Sequence, residues 1–184
     1  RPSDEAILTA RAIDRAIRPL FPKNLRKEIQ VVVTCLSWDG QNDPDVIGLL
    51  AASIALSISD IPWQGPLTAL RLGQADNKFI LNPTYEEREK SQFDFLLAGT
   101  DPDIINMIEM EGDEKDEQTL LDAWQFAKPH AKAILDLQKE IIKKAGKEKI
   151  ALEEEIKDPG LENEVKEFLG DKLEKALYPE NGKT

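Results

Sequence analysis

The run Asp45–Ser59, DVIGLLAASIALSIS, carries apolar or small side chains nearly all the way round a helix. A helix without a polar face cannot lie on a surface, so this one is expected to be buried between layers. Gly48, Ala51, Ala52, Ser53 and Ala55 allow neighbouring elements to approach closely. Asp43 is placed to cap the helix and Pro44 to occupy its first position. Whatever else this chain forms must cover that helix.

The flanking segments supply the cover. Glu28–Trp38 is rich in Val, Ile and Thr, and Val31-Val32-Val33 is apolar on both strand faces. That pattern predicts a central strand, with the lone Cys35 buried inside it. Pro66–Gly73 and Lys78–Leu81 flank Asp76-Asn77 and predict a hairpin. Thr84 is placed to cap a short acidic helix reaching Lys90. Phe93–Ala98 and Ile104–Met110 read as strands around a turn at Thr100–Asp103. A long helix is expected from Glu117 to Ala145, its inner side traced by Leu120, Leu121, Trp124, Ala127, Ala131, Ile134, Leu135, Gln138 and Ile142. Pro129 should kink it near Gln125 by removing one hydrogen bond. Gly146 should end it. Lys147–Lys157 is a charged hinge region, and Asp158-Pro159 opens a second amphipathic helix through Leu161, Val165, Phe168, Leu169, Leu173, Ala176 and Leu177. This order predicts an α+β sandwich with one helical layer on a mixed sheet. Residues 1–146 would form one domain and 147–184 a helical segment.

The N-terminal helix is the strongest binding candidate. Ser3 suits the N-cap, with Asp4 and Glu5 in the first turn. Ile7, Leu8, Ile13, Ile17 and Leu20 form its apolar stripe, and Pro19 and Pro22 stop it. Arg11, Arg15 and Arg18 share a face, and Arg1 precedes them. Clustered guanidiniums suit phosphate or carboxylate, whereas a solvated face with local ion pairs is the competing reading. Asp14 is placed to pair with Arg18 four residues on.

Charge sharpens the contrast. The 184 residues carry a net charge of −11 and are 41% hydrophobic, enough for a core. Residues 1–50 carry seven basic and seven acidic side chains, whereas residues 101–184 carry thirteen and twenty-two. That balance excludes a nonspecific nucleic-acid coat and leaves only local basic patches for such contacts. One cysteine excludes an internal disulfide and fits a reducing compartment. No apolar stretch approaches the ~20 residues needed to span a bilayer.

The run RPSDEAILTARAIDRAIRPLFP at residues 1–22 resembles the polynucleotide phosphorylase family. Asn42-Asp43-Pro44-Asp45, Ala51–Ser59, Ile61–Pro66, Leu81–Glu87 and Leu97–Thr100 follow in that family's order. The resemblance covers roughly residues 1–145 and points to the first of two RNase PH-like core domains. It implies an RNase PH-like (ribosomal protein S5 domain 2-like) sandwich lacking its first strands, followed by the start of an α-helical linker. The intact enzyme would degrade RNA from its 3′ end by phosphate attack, releasing nucleoside diphosphates, as a cytoplasmic homotrimer using Mg²⁺. The resemblance places an arginine-bearing constriction of the RNA channel just before Arg1, so Arg1, Arg11 and Arg15 are the expected RNA contacts, with Arg18 partly committed to Asp14.

The same resemblance implies that this half does not run the reaction. Catalytic relatives carry a glycine-rich anion loop before the buried helix, with Thr or Ser and Arg; here it reads Gly40-Gln41-Asn42-Asp43-Pro44-Asp45. Two carboxylates repel phosphate, and Pro44 has no N–H. Catalytic relatives also carry two aspartates six residues apart; Asp94 matches the second, and Arg88 stands at the first. No catalytic residue, bound metal or cofactor is therefore expected in this segment. Standing against this are a self-sufficient phosphorylase domain and a purely structural module without RNA contact. His130 reads as a surface or packing residue, Asp113–Glu117 as a solvated helix start, and Trp38, Trp63 and Trp124 as core.

Overall fold

The computed structural model describes residues 1–152 and 159–178. Residues 1–152 fall within one compact unit, and 153–184 form another. In the first, α1 (Asp4–Ile17) passes through a 3₁₀ turn (Arg18–Leu20). Then come α2 (Asp45–Ile58), β1 (Thr68–Ala75), β2 (Lys78–Leu81), α3 (Tyr85–Glu89), β3 (Phe93–Asp101), β4 (Ile104–Gly112) and α4 (Glu117–Ala145). The described part of the second unit contains α5 (Pro159–Leu169) and α6 (Lys172–Leu177), whose apolar Val165, Phe168, Leu173 and Leu177 are exposed.

Local signals set most boundaries. The Ser3 side chain accepts a hydrogen bond from the Ala6 amide at 3.2 Å and caps α1. Thr84 and Glu87 form a reciprocal capping box on α3. Asp76 and Asn77 turn the hairpin at φ 49° and 58°, the left-handed pair that a two-residue turn between twisted strands requires. A Cβ on Gly99 would lie 2.1 Å from the Ile104 carbonyl oxygen, so the bulge between β3 and β4 needs a glycine.

The sheet runs β2-β1-β3-β4 and is antiparallel throughout, where the sequence suggested a mixed one. Helices cover both faces rather than one. Ala69, Leu96, Ala98 and Met107 pack against α1 and α2, with Leu49, Ala52 and Leu56. Leu70, Leu72, Phe93, Phe95 and Leu97 pack against Ala123, Ala127 and Ala131 of α4. The cause lies in β1 and β3 themselves, which are apolar at both parities and so demand cover on both sides. The helix α2 is buried on one side only: Val46, Leu49, Ala52, Ser53 and Leu56 face the core, whereas Ile47, at 67%, Ala51 and Ala55 are exposed, so the burial all round that its composition predicts is not met. The helix α4 runs as one element through Pro129, with Ala127, Ala131 and Leu135 buried on its inner side.

One expected element is absent. Residues 28–38 form no strand among the described residues, and Cys35 is exposed rather than buried. Leu36 is 92% and Val32 74% exposed. A strand exists only as a hydrogen-bonded pair, and this run is paired with neither β2 nor β4, the two edges of the sheet. Val31 packs on the helical side of the core, and Val33 Cγ1 lies 3.5 Å from where a Cβ on Gly48 of α2 would stand.

Candidate functional site

Charged residues from five places converge beside the start of α2. Arg71, on β1, projects to the α2 face and binds Asp45, the first residue of α2, and Asp94 on β3. Arg88, on α3, donates to Asp43 at 2.7 Å and to Asp94 at 2.6 Å. Asp94 Oδ2 thus receives both guanidiniums. The Tyr85 ring lies 5.7 Å from the Arg88 guanidinium carbon and supports it from one side. The side chains of Arg71 and Asp45 are only 11% and 7% exposed, so this pair is screened little by water. Burial pushes the Asp45 carboxyl up, against the pull of Arg71. Burial likewise opposes the Arg71 charge, but Asp45 and Asp94 more than offset it and raise its pKa.

The loop before α2 is closed in the same way. Asp39 Oδ1 accepts from the amides of Gln41 at 2.8 Å and Asn42 at 2.9 Å. Those amides hold the Asp39 carboxyl down at about 2. Asp43 accepts from the Asp45 amide at 3.1 Å, and Asp45 from the Val46 amide at 2.6 Å. Amides of a glycine-rich turn and a helix start are the donors that cradle phosphate elsewhere. Here the chain's own aspartates already occupy them.

Magnesium does not fit this cluster. It demands oxygen ligands in an octahedral shell. Asp43 and Asp94 each give an oxygen to Arg88, Asp45 gives one to Arg71, and no group of acidic, His or Cys side chains suited to a metal exists among the described residues.

The four N-terminal arginines divide. Arg18 is engaged by Asp14 through both carboxylate oxygens, at 2.6–3.1 Å. Arg15 reaches the Ile108 carbonyl at 3.3 Å and Glu109 at 3.6 Å across β4. Arg1 and Arg11 are exposed and form no ion pair among the described residues. The structure therefore does not present four equivalent guanidiniums.

Sequence reasoning missed Arg71. Its signal was a single cation in the apolar strand Leu70-Arg71-Leu72, where a buried charge demands a partner. Trp38 was misplaced: it is 59% exposed, donates to the Asn42 carbonyl and meets Tyr85 edge-on at 6.1 Å. Trp63 is buried as expected, and Trp124 lies partly buried beside the sheet. His130 is exposed and meets the Phe126 ring at a tilt of 54°, with centroids 5.5 Å apart.

An antiparallel sheet covered by α1 and α2 on one face and α4 on the other, with this acid–arginine cluster at its rim, defines an RNase PH-like α+β protein. The sequence matches the 3′ exoribonuclease family, domain 1, over residues 1–62 and domain 2 over residues 65–129. The chain belongs to the 3′ exoribonuclease family. It is 49% identical over 151 residues to polyribonucleotide nucleotidyltransferase of Thermus thermophilus, covering 82% of this chain and 21% of that protein. The Listeria welshimeri enzyme of the same name is 43% identical over 183 residues, 100% of this chain and 25% of its own length. That of Heliobacterium modesticaldum is 42% identical over 177 residues, 96% of this chain and 25% of its own. The chain thus spans a fifth to a quarter of the length of these relatives. Among solved structures, rice Rrp46 superposes with a TM-score of 0.60 at 14% identity, covering 76% of this chain and 66% of that one, a likeness of fold.

Proposed function

We propose that this segment is the non-catalytic first core domain of a phosphorolytic 3′-to-5′ exoribonuclease, which builds the ring and guides RNA rather than cleaving it. The observation that carries the reading is the closed cluster: Asp39, Asp43 and Asp45 occupy the loop amides, while Arg71 and Arg88 occupy the carboxylates. Neither phosphate nor Mg²⁺ is left a set of free ligands there. In the intact enzyme, RNA plus phosphate would give nucleoside diphosphates, with Mg²⁺ held by another domain and three subunits forming a ring in the cytoplasm.

Arg1 and Arg11 are the guanidiniums available to RNA phosphates. Arg15 and Arg18 are secondary, because binding would first have to displace Glu109 or Asp14. Those pairs also support the rival view of a structural module without RNA contact. The two readings separate on the salt dependence of RNA affinity in the assembled ring. Removing one phosphate-binding guanidinium, in Arg1→Ala or Arg11→Ala, should lower the slope by about one unit and weaken all sequences alike. An unchanged slope with intact assembly assigns the arginines to structure alone.

A further inference from the structure

We infer that Arg88 is a built-in cation, holding Asp43 and Asp94 together where they would otherwise demand a metal ion, and that removing its charge opens a site for a hard multivalent cation. The inference deepens the non-catalytic reading above and rests on it.

Three carboxylates and two guanidiniums make up the cluster, and the two arginines differ in depth. Arg71 is 11% exposed and lies between Asp45 and Asp94 at the sheet. Arg88 is 24% exposed and lies outermost, between Asp43 at 20% and Asp94 at 21%. Deleting the Arg88 charge leaves three carboxylates facing one guanidinium, and two of them are partly open to water. Loss of Arg88 vacates Asp43 Oδ2 and leaves Asp94 Oδ2 with Arg71 alone, so both oxygens that faced Arg88 can accept a cation. Two carboxylates on a solvent-facing rim, completed by water, match the few-ligand, water-retaining sites that hard cations favour. Arg88 makes that cation unnecessary. It places one nitrogen on each carboxylate, and its charge lowers the local negative potential that would attract a metal.

The site also carries its own reporter. The Tyr85 ring lies against Arg88, and Trp38 meets Tyr85 at 6.1 Å. A terbium ion between Asp43 and Asp94 would be sensitised by these rings.

The test is terbium luminescence titration of the 184-residue chain and of Arg88→Gln and Arg88→Lys, excited at the aromatic band. Arg88→Gln should gain a saturable signal with a dissociation constant about tenfold or more below that of the parent. Mn²⁺ and Mg²⁺ should displace it, and Asp94→Asn in the same background should abolish it. Arg88→Lys, which keeps the charge, should behave as the parent does. Thermal melts provide a second readout: Mn²⁺ should raise the Tm of Arg88→Gln and leave the parent unmoved. A folded Arg88→Gln that binds no better than the parent overturns the inference. So does a parent that binds equally well, or an unfolded Arg88→Gln that Mn²⁺ does not refold. Because the readout is cation binding, failure here leaves the RNA-guiding reading standing, and failure of the salt-slope test leaves this measurement intact.

Discussion

Arg71 and Arg18 both meet aspartates, yet their burial gives them different weight. The Arg71–Asp45 side chains are 11% and 7% exposed, whereas those of Arg18 and Asp14 are 75% and 49% exposed. Removing one partner of a buried pair strands the other charge and costs about 3–5 kcal/mol. Urea unfolding of Arg71→Ala should show a loss of that size, while Arg18→Ala should leave the unfolding midpoint essentially where it is in the parent. Equal effects would mean that the cluster is as hydrated as the helix surface. Asp39 gives a pH signature. Its folded pKa of about 2 lies below the ordinary 3.8, so its contribution is present above pH 3.8 and is lost as pH falls through 2. The Gln41 and Asn42 amides should therefore lose exchange protection between pH 4 and 2, and Asp39→Ala should remove that dependence. The Arg18–Asp14 pair was legible in the sequence because i,i+4 spacing is local. Arg71 was not, because its partners come from α2 and β3, and only the fold brings them together.

The elements follow the same division between local and distant information. Caps, the Asp76-Asn77 turn and the extent of α4 are written in neighbouring residues, and the sequence places them within a few positions. The run 28–38 shows the limit, since its composition satisfies a strand but composition cannot supply a partner. Gln138 illustrates the reverse case. It sits on the apolar side of α4, is 1% exposed, and accepts from the Ser53 hydroxyl at 2.7 Å while donating to the Leu67 carbonyl at 2.8 Å. The Ser53 hydroxyl oxygen in turn accepts from the Leu67 amide at 2.8 Å, so the triad ties α4, α2 and the entry to β1. Gln138→Leu should cost about 1–3 kcal/mol by leaving the Leu67 carbonyl buried without a donor. Stability equal to the parent in thermal melts would show that water replaces the amide.

At the scale of the molecule, the sequence places a domain boundary after Gly146, and residues 147–150 hydrogen-bond to the end of α2 and the residues after it. The Lys147 amide donates to the Ile58 carbonyl at 3.0 Å and the Ile150 amide to the Asp60 carbonyl at 2.8 Å. Lys149 Nζ donates to the carbonyls of Leu56, Ser57 and Ser59 at 2.7–3.0 Å, a side-chain cap on the end of α2. Burial lowers the Lys149 pKa, with Asp60 opposing. Hydrogen exchange should find the Lys147 and Ile150 amides protected, and Lys149→Gln should speed both without changing β1 or β3. Exchange at the rate of free peptide in the parent chain would contradict these contacts. Whether this segment catalyses is a question of chemistry, and one assay addresses it most directly. The 184-residue chain, incubated with poly(A), inorganic phosphate and Mg²⁺, should release no ADP above a protein-free blank, because its loop amides and carboxylates are already engaged. ADP release that persists through further purification and disappears in Asp94→Ala would contradict the non-catalytic reading.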